Sequence, residues 1–157
     1  MSSSQSTSYS RTIQSRLVLP PDTNHLKTIF GGQVLSFIDE IAAITAMKHA
    51  GSVVVTASID SVDFLSSASV GDLLELESFI TSTGRTSMEV FVKVHSTNLL
   101  TRVKTLTTKS FLTMVAVDDD KKPIPVPKII PESDEEKQLC LTAAARKENR
   151  LNRSLIN

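Results

Sequence analysis

A chain of 157 residues, 40% hydrophobic and 22% charged with a formal net charge of zero, has room for one domain with a real core and little room for two. The neutral balance excludes general nucleic-acid binding, which needs a strong basic excess, and there is neither an apolar run suited to a signal peptide nor a clean membrane span. The single Cys140 can make no internal disulfide, which fits a reducing cytosol and a cytoplasmic protein, and His25, His49 and His95 lack metal-ligand spacing, so no metal site is expected.

Residues 1–10, MSSSQSTSYS, are Ser-rich and without periodicity, and read as a disordered tail. Residues 11–19 carry enough β-branched side chains for a first strand, which Pro20 and Pro21 end. A polar loop over 24–30 leads to Gly31 and Gly32. The spacing then predicts a helix over about 33–50, closed by Gly51, with Lys48 and His49 in its last turn. Its apolar residues run nearly all the way round, from Val34 and Leu35 to Ala46 and Met47, which marks a buried helix. Asp39, Glu40 and Lys48 argue against a membrane span, where each costs about 2.5–3.5 kcal/mol at mid-helix. The helix is expected inside a soluble domain, wrapped by something else.

Asp39 then needs a reason. Its neighbours one turn away are Leu35, Ser36, Ala42 and Ala43, a small and mostly apolar surface that a ligand or another chain can approach. A carboxylate there is desolvated unless a partner or a water receives it. The plainer alternative is a solvated or paired acid on the exposed edge of the helix. The glycine pair favours the functional reading. Unpaired N–H groups at a helix start carry partial positive charge, and an oxygen developing negative charge can sit there, two turns before the carboxylate.

After Gly51 the period changes from helix to strand. Residues 53–64 form a long β-branched run. Residues 72–83 alternate, with Leu74, Leu76 and less regularly Phe79 set against Glu75 and Glu77. Residues 86–97 alternate again, with Met88, Val90, Val92 and Val94 on one face, so 72–97 is a hairpin turning at Gly84-Arg85. Residues 103–117 are a fifth long strand, ended by Asp118-Asp119-Asp120. Residues 122–127, KPIPVP, are extended, and 131–152 predict a short terminal helix whose acids lead and bases trail, most simply a solvated face. Hairpin-joined strands of this length imply an antiparallel sheet, and a sheet curled round one hydrophobic helix is the simplest α+β solution.

At this point the residues form a familiar set. Asn24, the F-G-G of residues 30–32, the I-D-E of 38–40 followed by Ala42-Ala43, and the V-T-A-S of 55–58 together resemble the hotdog-fold acyl-CoA thioesterases, in their cytosolic acyl-CoA hydrolase branch. The V-D-F of 62–64, the G-R-T-S of 84–87 and the F-L-T-M-V-A-V-D of 111–118 fit as well, so the resemblance spans roughly residues 11–150. Each piece is weak alone; the ordered set is fairly specific. It implies a hotdog domain over 11–130, with a C-terminal helix and tail over 131–157. It also implies homodimers joined edge to edge, often assembled as trimers of dimers, with no cofactor beyond the coenzyme A of the substrate.

The resemblance further implies an active site between protomers, one contributing Asn24 and the other Asp39. Glu40, adjacent, points about 100° round the helix. Asp39 would act as general base toward water or attack directly, alternatives the sequence leaves open. Asn24 would orient the water or support the carbonyl, and the Gly32 N–H would meet the oxyanion. Arg85, Thr86 and Ser87 offer a cation and hydroxyls to the CoA phosphates, where the plainer alternative is an ordinary exposed turn. The strand near Val62 and Phe64 is expected to bond the pantetheine arm. The acyl chain is expected along Ala42 and Ala43, with Phe37 and Met47 as lining, although both large residues also suit a plain core. Two rival readings rank lower. A hotdog hydratase or dehydratase would pair His25 with an acid, but the chain lacks the Pro- and Gly-rich segment that precedes the helix in those enzymes. A non-enzymatic acyl-CoA sensor would have no use for a desolvated acid.

Overall fold

A computed structural model describes residues 3–154; residues 1–2 of the expected tail and 155–157 of the C-terminal segment lie outside the described residues. The elements in order are β1 (Ser4–Ser6), α1 (Thr7–Ser10), β2 (Thr12–Leu17), a short 3-10 turn (Pro20–Asp22), α2 (Gly31–Ala50), β3 (Val53–Phe64), β4 (Leu73–Thr83), β5 (Ser87–Thr97), β6 (Lys104–Val117), β7 (Lys128–Ile130) and α3 (Asp134–Ser154). β2 to β6 form one antiparallel sheet in the order β2-β4-β5-β6-β3, and α2 touches all five of its strands. A single helix in contact with every strand is wrapped by the sheet, which is the hotdog arrangement.

The helix earns its place by one stripe. Val34, Ile38, Ile41, Ala42, Thr45, Ala46 and His49 recur at helical spacing and are buried against the sheet. Leu74, Leu76, Ile80, Met88, Val90, Val92, Leu112 and Met114 meet them from the inner face, and each fully buried Leu, Ile, Val or Met contributes about 1.5–3 kcal/mol of transfer free energy. Gly51 closes the helix in the left-handed conformation, φ 66°, with its N–H on the Met47 carbonyl at 2.8 Å. The helix begins at Gly31, so both glycines form its first turn rather than precede it.

Three expectations need correction. Residues 4–10 are ordered rather than disordered. β1 pairs in parallel with β7, and Thr7 and Ser10 are completely buried, because the segment 128–130 offers an edge that a short Ser/Thr strand can complete. Phe79 does not share a face with Leu74 and Leu76. It lies on the opposite face with Phe91 and Phe111, ring centroids 5.6 and 4.8 Å apart in series, and that face too is covered.

The cover is α3, and it is neither short nor simply solvated. At 21 residues it is the longest helix described, and its charges clamp it to the sheet. Arg146 binds Glu89 through Nε (3.0 Å) and Nη2 (2.7 Å) and lies over the Phe111 ring. Lys93 meets Glu135, and Arg153 meets Asp60. At its start, Ser133 and Glu136 exchange side-chain to backbone bonds at 3.1 and 3.0 Å, a reciprocal capping box.

Candidate active site

Asp39 lies on the flank of α2 that its own sheet leaves open. Ile38, Ala42 and His49 point into the core, so Asp39, Ala43 and Met47, at i, i+4 and i+8, form a line on the other side. Asp39 is half-buried, and its Oδ1 accepts a 2.8 Å hydrogen bond from Thr56 Oγ1 on β3. Within one protomer the carboxylate is therefore hydrogen-bonded at an open surface rather than desolvated. A register shift between Thr56 and Ser58 sits at this point, and such bulges re-aim side chains out of the regular ladder. Thr56 is the residue that sequence reasoning missed. It stands in the V-T-A-S motif, but one Thr in a β-branched run carries no signal of what it faces.

Glu40 turns the other way. It is exposed and pairs with Arg16 on β2 at 2.7 Å, and Arg16 in turn covers the Phe37 ring at 4.2 Å. The two adjacent acids thus serve opposite flanks of the helix, as 100° per residue requires.

Asn24 holds its loop in shape. Its Oδ1 accepts from the N–H groups of Leu26 and Thr28 and from the Thr28 hydroxyl, at 2.9, 3.3 and 3.2 Å. Lys27 within the turn takes a positive φ of 62°. With its carbonyl oxygen engaged three times, the Asn24 amide N–H groups make no hydrogen bond among the described residues and remain available as donors. Thr28 lines a cleft of about 410 Å³ together with Gly31, Val34 and Phe64. Phe64, exposed on β3, lays its ring against Gly31, where an added Cβ would stand 3.3 Å from the ring; a Cβ on Gly32 would meet nothing within 4 Å. In the first turn the N–H groups of Gln33 and Val34 both reach the Phe30 carbonyl, and those of Gly31 and Gly32 make no backbone bond among the described residues. Val62 sits half-buried two residues earlier on the same strand.

The remaining expectations divide. Phe37 and Ala42 are buried in the protomer and belong to the hydrophobic core, at the spacing of Ile38 and Ile41, and the Phe37 ring also borders a shallow cleft beside Arg16 and Gln33. Ala43 is half-buried and Met47 is 40% exposed, both on the open line with Asp39. The residues of the 84–87 turn border two different clefts. Arg85 lines a cleft at the C-terminal end of α2, beside Ala50, while Ser87 faces a separate cleft under α3 and Thr86 uses its carbonyl to bind the Ala116 N–H. His25 is exposed on its loop, and no hydrogen bond joins it to Asp39 among the described residues. His49 is buried; that burial pushes its imidazole below the usual value, and the hydrogen bond with the Pro127 carbonyl at 2.7 Å opposes the shift only in part. Among the described residues no group of His, Cys, Asp and Glu is arranged to hold a metal, and no helix is long and apolar enough to cross a membrane.

Residues 26–102 match the thioesterase superfamily. The chain is 47% identical to an uncharacterized acyl-CoA thioester hydrolase, YkhA of Bacillus subtilis, over 92% of its own length and 84% of that protein. It superposes on an apo-hexameric acyl-CoA thioesterase with a TM-score of 0.97 and 70% identity, covering 99% of both chains. It also matches an acyl-CoA hydrolase from Staphylococcus aureus in complex with butyryl coenzyme A and coenzyme A, with a TM-score of 0.91, 47% identity, and 96% and 92% of the two chains. Alanine variants of that hydrolase at one Asn, one Asp and one Thr are among the matches, and the three positions are separated by the same 15 and 17 residues as Asn24, Asp39 and Thr56. The chain belongs to the thioesterase superfamily, among its hotdog-fold acyl-CoA thioester hydrolases.

Proposed function

We propose that this protein hydrolyses acyl-CoA to a free carboxylic acid and coenzyme A, with Asp39 of one protomer and Asn24 of its partner forming the site. The observation that carries the shared site is a length. Gly32 and Asp39 lie on one helix seven residues apart, about 10 Å along its axis at 1.5 Å per residue. An oxyanion donor and a general base each work from about 3 Å off the reacting centre, and one helix cannot bring the two closer than its two turns. A second copy can. β3 is a free edge of the sheet, 12 residues long, with Val53, Val55 and Phe64 exposed, and it carries Thr56 beside Asp39. Edge pairing there brings a partner to the open flank of α2. An unpaired edge with exposed apolar residues otherwise invites uncontrolled pairing. Three such dimers would make the hexamer found in the structural relative.

In this site Asp39 keeps its Oδ2 free while Thr56 holds Oδ1. Oδ2 takes a proton from water as the water oxygen adds to the thioester carbonyl carbon. The side-chain amide of the partner's Asn24 and the backbone N–H of the partner's Gly32 receive the oxyanion, each donor of this kind contributing about 2.7–4 kcal/mol. The intermediate collapses by breaking the C–S bond, and the departing thiolate takes the proton back from Asp39. Val62 and Phe64 border the pantetheine arm, Ala43 and Met47 the acyl chain, and Arg85 the phosphates. The matching 15- and 17-residue separations in the Staphylococcus aureus variants support the Asn, Asp and Thr set. The test is thiol release from acyl-CoA, followed with a thiol reagent. Wild-type protein should release CoA, and Asp39→Ala should lower kcat by roughly 10²–10⁴, the range for losing a general base. Near wild-type kcat in a folded Asp39→Ala oligomer rules the mechanism out.

A further inference from the structure

A cleft of about 700 Å³ lies between residues 83–85 and the segment 125–128. Ala50, Pro125, Val126 and Pro127 line it. Two charges line it, Arg85 and Lys128, and no acid does. Neither cation has an ion pair among the described residues, whereas Arg11, Arg146 and Arg153 each sit on a carboxylate. Two unpaired cations lining one cleft give it a positive field that favours an anion.

The cleft is preformed. The Val126 N–H donates to the Arg85 carbonyl at 2.9 Å, the Lys128 N–H to the Ser3 carbonyl at 2.9 Å, and the Ile129 N–H to Thr83 Oγ1 at 3.2 Å. His49 Nε2, placed by the last turn of α2, donates to the Pro127 carbonyl from below at 2.7 Å. Val126 packs against the core and Ile129 lies in it, so the exposed Lys128 projects from the other side of an anchored backbone. Proline rings present flat apolar walls with no donor of their own, suited to a nucleobase face beside a phosphate pair.

We propose that this cleft takes the phosphorylated nucleotide end of the acyl-CoA, with Lys128 joining Arg85 as a two-cation clamp on its phosphates. The proposal rests on the hydrolase reading and deepens it. Lys128 becomes the residue that favours acyl-CoA over the same acyl group on a carrier arm without the nucleotide. Lys128→Met keeps the aliphatic stem and the backbone bonds and removes the charge. At low ionic strength it should raise KM for acyl-CoA about five-fold with kcat little changed, and added salt should shrink the gap. Lys128→Arg should restore the wild-type KM. The preference for acyl-CoA over acyl-pantetheine, taken as the ratio of kcat/KM values, should fall by the same factor in Lys128→Met.

Acyl-dephospho-CoA identifies the phosphate. If Lys128→Met and wild type share one KM for it, Lys128 meets the 3′-phosphate; if the gap persists, it meets the pyrophosphate, and either result supports the clamp. An unchanged KM for acyl-CoA at low salt, or an equal rise for acyl-pantetheine, overturns it. Wild-type protein that cleaves none of the three thioesters refutes the hydrolase reading instead.

Discussion

The Thr56 hydroxyl donates to Asp39 Oδ1 across 2.8 Å, tying the free edge strand to the central helix. The bond fixes which carboxylate oxygen remains available and places it along the edge where a second protomer docks in the proposed assembly. Thr56→Ala should therefore lower kcat about ten-fold with a smaller change in KM, because the base loses its orientation. Thr56→Ser, which keeps the hydroxyl, should recover most of the rate. Glu40→Ala breaks only the exposed pair with Arg16 and should keep activity within about two-fold, as exposed ion pairs are worth about 0–1 kcal/mol. Loss of activity in Glu40→Ala with retention in Thr56→Ala would reverse the assignment of the two flanks.

Gly32 offers a separation of stability from chemistry. A Cβ at this position meets nothing within 4 Å, and the residue sits in the first turn of the helix without a positive φ. Gly32→Ala should stabilise the protein by up to about 1 kcal/mol, since Gly is the poorer helix former. If the Gly32 N–H receives the oxyanion of a substrate held close to the backbone, the same variant should lose kcat by about ten-fold or more from the methyl group's intrusion. Denaturant unfolding and thiol release on one preparation check both halves. A variant that is more stable and fully active removes Gly32 from the site.

The fold was legible where period decides structure. The all-round apolar helix and the alternation of Met88, Val90, Val92 and Val94 are local patterns, and the wrapped helix follows from them. Phe79 was misplaced because both faces of β4 are buried, and alternation carries no information on a strand covered from both sides. The order of residues 4–10 depends on β7, more than 120 residues away, which no local composition shows. The same holds for the site. Asp39 stood out because an acid on a buried helix is anomalous, and Asn24 through the family motif. Thr56 and Lys128 are ordinary residues for exposed strands, and only the approach of α2 to one and of the 84–86 turn to the other gives them neighbours.

Glu136 predicts a pH dependence. It is buried at the start of α3; burial alone would raise its pKa, but the N–H groups of Ser133 and Glu132 and the Arg11 guanidinium outweigh that and hold it below the ordinary carboxylate value. A group depressed in the folded state stabilises fully above its unfolded pKa, near 4.5, and that contribution is lost as pH falls through the folded value. Glu136→Gln should thus cost about 1–3 kcal/mol at pH 7, from the capping box and the Arg11 pair together. The deficit should narrow steadily as pH falls from about 4.5 through the lower folded value, below which the folded wild-type side chain is neutral too. Urea unfolding of both proteins at several pH values checks this, and a deficit independent of pH would mean that the charge contributes nothing.

Subunit mixing tests where the site lies. If Asn24 and Asp39 of one site come from different protomers, Asn24→Ala and Asp39→Ala oligomers should each be nearly inactive. Refolding them together pairs some chains with an intact Asn24 against chains with an intact Asp39. In a two-fold dimer each mixed pair regains one complete site and leaves the other with both defects. Random pairing makes about half the dimers mixed, so about a quarter of wild-type activity should return, assuming independent sites in a two-fold assembly. A single-chain site gives no recovery, since every chain in the mixture carries a lesion. Verified exchange without recovery would sink the shared site and leave the hydrolase itself standing.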